Sequence, residues 1–128
     1  MPRVMTELLP SHRVIEQVAV GSLNDPEVLT LILGVQELQK ETGIGDTLLD
    51  CSALSQGSMM VPISDLADLV ALRGMEPHWR EAIVRPQDTW AGMTVDHWEA
   101  AANNRGINVR VFRSRESALA WLTTESAT

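Results

Sequence analysis

Between Gly106 and Leu122 the rhythm of apolar residues switches. Ile107, Val109 and Val111 alternate with Asn108 and Arg110, the pattern of a strand with one wet face, and Ala118, Leu119, Trp121 and Leu122 then recur at helical spacing. The passage predicts a strand over Ile107 to Phe112, less deeply covered than its neighbours and so at a sheet edge, and then a helix from Ser114 to about Thr123. Residues 123–128 read as a flexible tail.

Upstream, Arg3 to Leu9 and Arg13 to Val20 are two extended segments separated by Pro10-Ser11-His12, which suits a hairpin. Asn24-Asp25-Pro26-Glu27 sets a capping side chain before a proline in the first turn, with acidic residues where the helix dipole favours them. Val28, Leu31, Ile32, Val35 and Leu38 form the apolar stripe of the helix that follows. Gln36, Gln39 and Lys40 are expected to face away, and Gly43 supplies a left-handed stop.

Thr47 to Cys51 is short and almost wholly apolar, as a strand covered on both faces would be. A second unit follows, with Ser64 as N-cap, Leu66, Leu69 and Val70 buried, Gly74 and Pro77 after the helix, and Glu81 to Arg85 as the next strand. The third helix lies within Asp88 to Asn104, with a restart at Thr94 left open; it carries Met93, Val95, Trp98 and Ala102 inward and stops at Gly106. The order β-β-α-β-α-β-α-β-α specifies an α/β domain: a mixed, mainly parallel sheet of about five strands flanked by about four helices, joined by right-handed crossovers. With no internal repeat or linker, residues 1–128 read as a single domain.

Composition narrows the setting. The 128 residues are 45% hydrophobic, enough for a core without staples. No apolar run reaches membrane-spanning length and the N-terminus lacks the blocks of a signal peptide, so a soluble, cytoplasmic protein is expected. Cys51 is the single cysteine; it cannot form an internal disulfide and reads as a small core residue. A formal charge of −7 argues against nucleic acid, whose binding depends on neutralising phosphates. Arg105, Arg110, Arg113 and Arg115 form one basic interval, read as a solvated strand edge and helix start, with an anionic partner as the alternative.

The alternation of elements, Asp50 closing a buried strand, the Ala82-Ile83-Val84 strand, and above all Val109-Arg110-Val111-Phe112-Arg113-Ser114 with Ala118-Leu119-Ala120-Trp121-Leu122 resemble the SpoIIAA-like proteins. These are bacterial relatives of the STAS domain of anti-sigma-factor antagonists and of the Sec14-like lipid-binding fold. The resemblance covers about Arg13 to Leu122. It implies a non-catalytic module, needing no cofactor, that binds a small apolar or lipid-like ligand or a regulatory protein. In the anti-sigma antagonists a phosphorylatable serine follows an aspartate at the start of the helix after the equivalent strand. Here that loop, Cys51 to Met60, has no Asp-Ser pair; Ser58 is the nearest positional candidate for a phosphosite, and a serine-phosphorylation switch is the alternative function.

Open α/β sheets bind ligands beyond the carboxyl ends of their strands, where the loops Ser52 to Pro62 and Pro86 to Thr94 leave. Met59, Met60, Trp90 and Met93 are therefore candidate ligand-binding residues, thioethers giving adaptable walls and the indole a flat one. Asp50, at a strand end, either caps the turn through Ser52 or Ala53 or contacts the ligand. Enzyme constellations are absent: Gly43-Ile44-Gly45 follows a helix and lacks the third glycine of a dinucleotide loop. His12, His78 and His97 lie in three elements, with Glu76 and Asp96 nearby but no metal spacing, and a Ser58-His97-Asp50 triad has no nucleophile elbow behind it. A homodimer is expected through the edge strand at Val109, Val111 and Phe112 or through Trp79 and Trp90.

Overall fold

Five strands lie side by side in the order in which they occur along the chain. The computed structural model describes residues 3–9, 11–57, 60–74, 76 and 78–124. Strands β1 (Val4–Leu9) and β2 (Val14–Gly21) form an antiparallel hairpin, to which β3 (Thr47–Leu54), β4 (Arg80–Val84) and β5 (Asn108–Phe112) add in parallel. Helices α1 (Asp25–Thr42), α2 (Ile63–Arg73) and α3 (Thr89–Asn103) make the three crossovers. A constant crossover hand puts all three on one face, and α4 (Arg115–Thr123) covers part of the other.

The sheet separates two cores. Ile32, Leu49, Leu66, Ile83, Val95 and Val109 pack beneath the three helices, whereas Val14, Leu48, Ala82, Val84, Ala118 and Leu122 pack beneath α4. Alternation assigns consecutive residues to opposite sides, so Leu48 and Leu49 serve different cores.

Local signals place the helices. Asn24 and Glu27 form a reciprocal capping box, with bonds of 3.0 and 3.1 Å between each backbone N–H and the other's side-chain oxygen. Gly43 closes α1 in the left-handed region at φ 73°. Ser114 caps α4, accepting from the Ser117 amide at 3.1 Å.

Several boundaries differ from the sequence-based expectation. Helix α2 begins at Ile63 behind Pro62, not behind Ser64, and has no side-chain cap; the Pro62 carbonyl takes the amides of Asp65 and Leu66. Helix α3 runs unbroken through Thr94 from Asp88, whose carboxylate accepts from the Ala91 amide at 2.9 Å. Strand β4 is shifted one residue, running from Arg80, which pairs with Asn108 of β5 and whose amide is held by Asp46 at 3.0 Å, to Val84 instead of Arg85. Gln36 and Gln39 are buried, 5% and 2% exposed, and Met93 is exposed. Thr123 ends α4 and Thr124 caps it, whereas Pro10, Pro77 and 125–128 lie outside the described residues. No helix among the described residues is long and apolar enough to cross a membrane.

Candidate functional site

A cavity of about 300 Å³ runs between the sheet and the three-helix layer. Its floor is the inward-facing row of the strands: Ala19 on β2, Thr47, Leu49 and Cys51 on β3, Glu81 and Ile83 on β4. One wall is α1, through Val28, Leu31, Ile32 and Val35, and the opposite wall is α2 and α3, through Leu66, Val70, Val95 and Trp98. The lining is predominantly aliphatic, as small-molecule sites are.

The mouth lies at the carboxyl ends of the strands. Leu23, Leu54, the exposed Ser55–Gly57 segment and the exposed indole of Trp90 surround it. Its shape depends on a β-bulge. Val18 pairs with Asp50 but Val20 pairs with Ala53, so β3 contains one extra residue. The extra residue shifts the alternation and brings Leu54 to the cavity after Thr47, Leu49 and Cys51. The lip is pinned by backbone bonds: Ser55 N–H donates to the Gly21 carbonyl at 2.9 Å, and Asp25 Oδ1 accepts from the amides of Met60 and Val61 at 2.8 and 3.2 Å. A Cβ on Gly57 would stand 2.7 Å from the Leu23 carbonyl oxygen, so only glycine lets the two sides of the mouth approach this closely.

Polar side chains collect at the other end, where Gln39 and Thr47 are buried in the lining beside Ile107. Gln39 Nε2 donates to the Gly45 carbonyl at 2.8 Å, and Gln36 Oε1 accepts from Arg73 Nε at 2.7 Å, a bridge from α1 to α2. Glu81 enters this end from the start of β4. Its Oε1 accepts from Trp98 Nε1 at 2.8 Å, and no basic side chain among the described residues pairs with it. Burial raises the Glu81 pKa above the ordinary carboxylate value, only partly offset by the Trp98 hydrogen bond. The Cys51 thiol is likewise pushed far up, by burial first and by the nearby Glu81 and Asp50 carboxylates second.

The residues singled out from the sequence separate. Trp90 is at the mouth, but Met60 and Met93 are 85% and 55% exposed and contribute nothing to the lining. Met93 falls on the outer side of α3 because Ala91, Val95, Trp98 and Ala102 take the inner one. Ser58 and Met59 lie outside the described residues. Asp50 belongs to the α4 side of the sheet and caps the bulged strand, accepting from the Ser52 amide at 2.9 Å. It is therefore across the sheet from His97 on α3, which removes the Ser58-His97-Asp50 grouping. Among the described residues no three metal-ligating side chains cluster.

The basic interval is largely consumed internally: Arg105 pairs with Asp68, Arg115 with Glu16, and the Arg110 guanidinium lies 5.6 Å from the Trp121 ring centre. The free edge of β5 is also occupied, since Glu99 Oε2 accepts from the Val111 amide at 2.7 Å and Asn103 Nδ2 donates to the Val109 carbonyl at 2.9 Å. Those two backbone groups are not available to a partner strand.

Sequence reasoning missed Gln36, Gln39 and Glu81. The signal for two of them was present: Gln39 follows Val35 by four and Ile32 by seven on α1, and Glu81 precedes Ile83 by two on β4.

Strand order, three helices on one face and a single helix on the other define a SpoIIAA-like α/β module. The crystal structure of an uncharacterised protein of the DUF3478 family with a SpoIIAA-like fold, from Shewanella loihica PV-4, aligns with a TM-score of 0.59 at 20% identity over 93% of each chain. No family model and no curated protein sequence matches the chain.

Proposed function

We propose that the protein is a non-catalytic binding module whose cavity takes a small apolar or amphipathic ligand through the mouth between Leu23, Leu54 and Trp90. The observation that supports this reading is the cavity itself. Protein interiors are packed as densely as organic crystals, yet here the layer between the sheet and the helices stays open by about 300 Å³. That volume is at the lower bound of ordinary small-molecule sites, about 300–1,000 Å³.

Native mass spectrometry of freshly purified protein, compared with the denatured mass, tests the reading. The expected result is an added mass that disappears on denaturation, or, for empty protein, saturable uptake of the neutral dye N-phenyl-1-naphthylamine. Ala91→Leu, which adds bulk to the lining of the cavity, should weaken either signal. A bare mass together with no dye uptake would overturn the reading.

A further inference from the structure

We infer that the ligand is an apolar amine, its hydrocarbon part along the aliphatic walls and its ammonium group against Glu81 at the end away from the mouth. The inference rests on the ligand-binding reading of the cavity and specifies the chemistry of what enters it.

Three observations favour a cation there. Glu81, half-buried, is the sole ionisable carboxylate in the cavity lining, and a carboxylate partly withdrawn from water without a cationic partner is costly. The protein supplies one donor, Trp98 Nε1 at 2.8 Å to Oε1. No second donor to the carboxylate is found among the described residues, which leaves Oε2 for a ligand. The polar part of the lining lies at the end away from the mouth: Glu81 and Thr47 are register partners on adjacent strands, and Gln39 lies at the far end of α1 from the mouth. A molecule with one polar end therefore fits head first, its tail extending past Leu49, Ile83 and Val95 toward Leu54 and Trp90.

Alternative head groups fit less well. A carboxylate head would meet Glu81 as a like charge. An alcohol would satisfy Oε2 but leave the charge uncompensated. An ammonium group does both, with three donors on a compact centre. The indole of Trp98, already fixed by its bond to Glu81, adds an aromatic wall beside the cation. The chain's net charge of −7 also raises the concentration of cations at its surface.

The test is calorimetric titration of decylamine, 1-decanol and decanoate, three probes with one tail and different heads, into the wild-type protein, Glu81→Gln and Trp98→Phe. Decylamine is expected to bind wild type at least about tenfold tighter than 1-decanol, with decanoate weakest. Glu81→Gln should erase the amine preference while retaining 1-decanol binding, and Trp98→Phe should reduce the preference. Because Glu81→Gln replaces a half-buried carboxylate by its neutral isostere, the fold should persist, and its circular dichroism spectrum and melting temperature check this. Binding of 1-decanol as tight as decylamine, or an amine preference that survives in Glu81→Gln, overturns the amine assignment and leaves the cavity reading intact. Failure of all three probes to bind overturns both.

Discussion

Arg80 holds Asp46 with one hand of its guanidinium and the end of α4 with the rest. Nη2 lies 3.1 Å from Asp46 Oδ2, while Nη2 and Nη1 donate to the carbonyls of Leu122 and Trp121, each at 2.7 Å, and Nη1 also reaches Thr124. These are carbonyls that the last turn of a helix leaves without intrahelical partners. One planar cation thus joins the start of β4, the loop before β3 and the final helix, with the Trp121 ring centre 5.5 Å from its Cζ. Arg80→Ala is expected to destabilise the protein by about 2–4 kcal/mol in denaturant unfolding and to speed amide exchange first in α4. Arg80→Lys should recover only a minor part, because an ammonium group cannot present the same fork. Equal exchange in α4 with and without the guanidinium would refute this anchoring role.

Leu48 and Leu49 provide a paired measurement of the two cores. Leu48 is fully buried beneath α4, while Leu49 borders the cavity and is 9% exposed. Leu48→Ala should cost within the usual range of about 2–5 kcal/mol. Leu49→Ala should cost less, since part of its surface already faces a void and fewer contacts are lost. Equal costs in urea unfolding would mean that the three-helix side is as tightly packed as the other.

Glu81 makes stability depend on pH with a defined sign. Its carboxyl is raised above the ordinary value by burial, so the folded state holds the proton that the unfolded chain releases near pH 4.3, the ordinary glutamate value being about 4.3. The contribution is fully present below that unfolded value and is lost as pH rises through the folded one. Wild type and Glu81→Gln should therefore have closely similar urea midpoints at low pH, with the variant becoming the more stable toward neutrality. A difference that stays constant from acid to neutral pH would assign the effect to packing.

Cys51 should behave as an inert thiol in the native state. It is 2% exposed and its pKa is pushed up by burial, so the thiolate that reacts with electrophiles is almost absent. Maleimide labelling is expected to be slow in buffer, slower still with a cavity ligand bound, and complete within minutes in denaturant. Rapid native-state labelling would show that the cavity opens readily to solvent.

The free edge of β5 should reveal itself in a double variant. Glu99→Ala with Asn103→Ala releases the Val111 amide and the Val109 carbonyl, giving an adjacent chain a place to pair. Light scattering after gel filtration is expected to show more self-association than in wild type; an unchanged mass at high concentration would count against the side-chain plug.

The sheet and its crossovers were legible because local chemistry and long-range packing agree. Val109 and Val111 alternate as their burial does, Asn24 and Glu27 build the cap their spacing announces, and Gly43 takes the conformation that its position after α1 requires. The SpoIIAA-like architecture follows from these elements. The cavity was less legible, since an unfilled space is a property of how three helices sit over a sheet and leaves no residue pattern of its own. Trp90, singled out by the rule that ligands enter beyond strand ends, borders the mouth; Met60 and Met93, singled out by the same rule, lie outside the lining because being in the right loop or helix turn does not fix the facing side. Gln36 and Gln39 were assigned outward by polarity, whereas their partners, the Arg73 side chain and the Gly45 carbonyl, come from segments 37 and six residues away in the chain. The bulge that redirects Leu54 arises only when β2 and β3 are aligned.

The sequential strand order has a consequence for how the chain assembles. Every ladder joins a strand to its predecessor or successor in the sequence, so no strand must wait for a distant one before it can pair. The closure entropy of each step is that of a single crossover, and topologies rich in near-neighbour contacts fold faster than those built from remote ones. Growth from the first hairpin can proceed strand by strand during synthesis, each new unit using the exposed edge left by the last, until Glu99 and Asn103 seal the final edge and end the series.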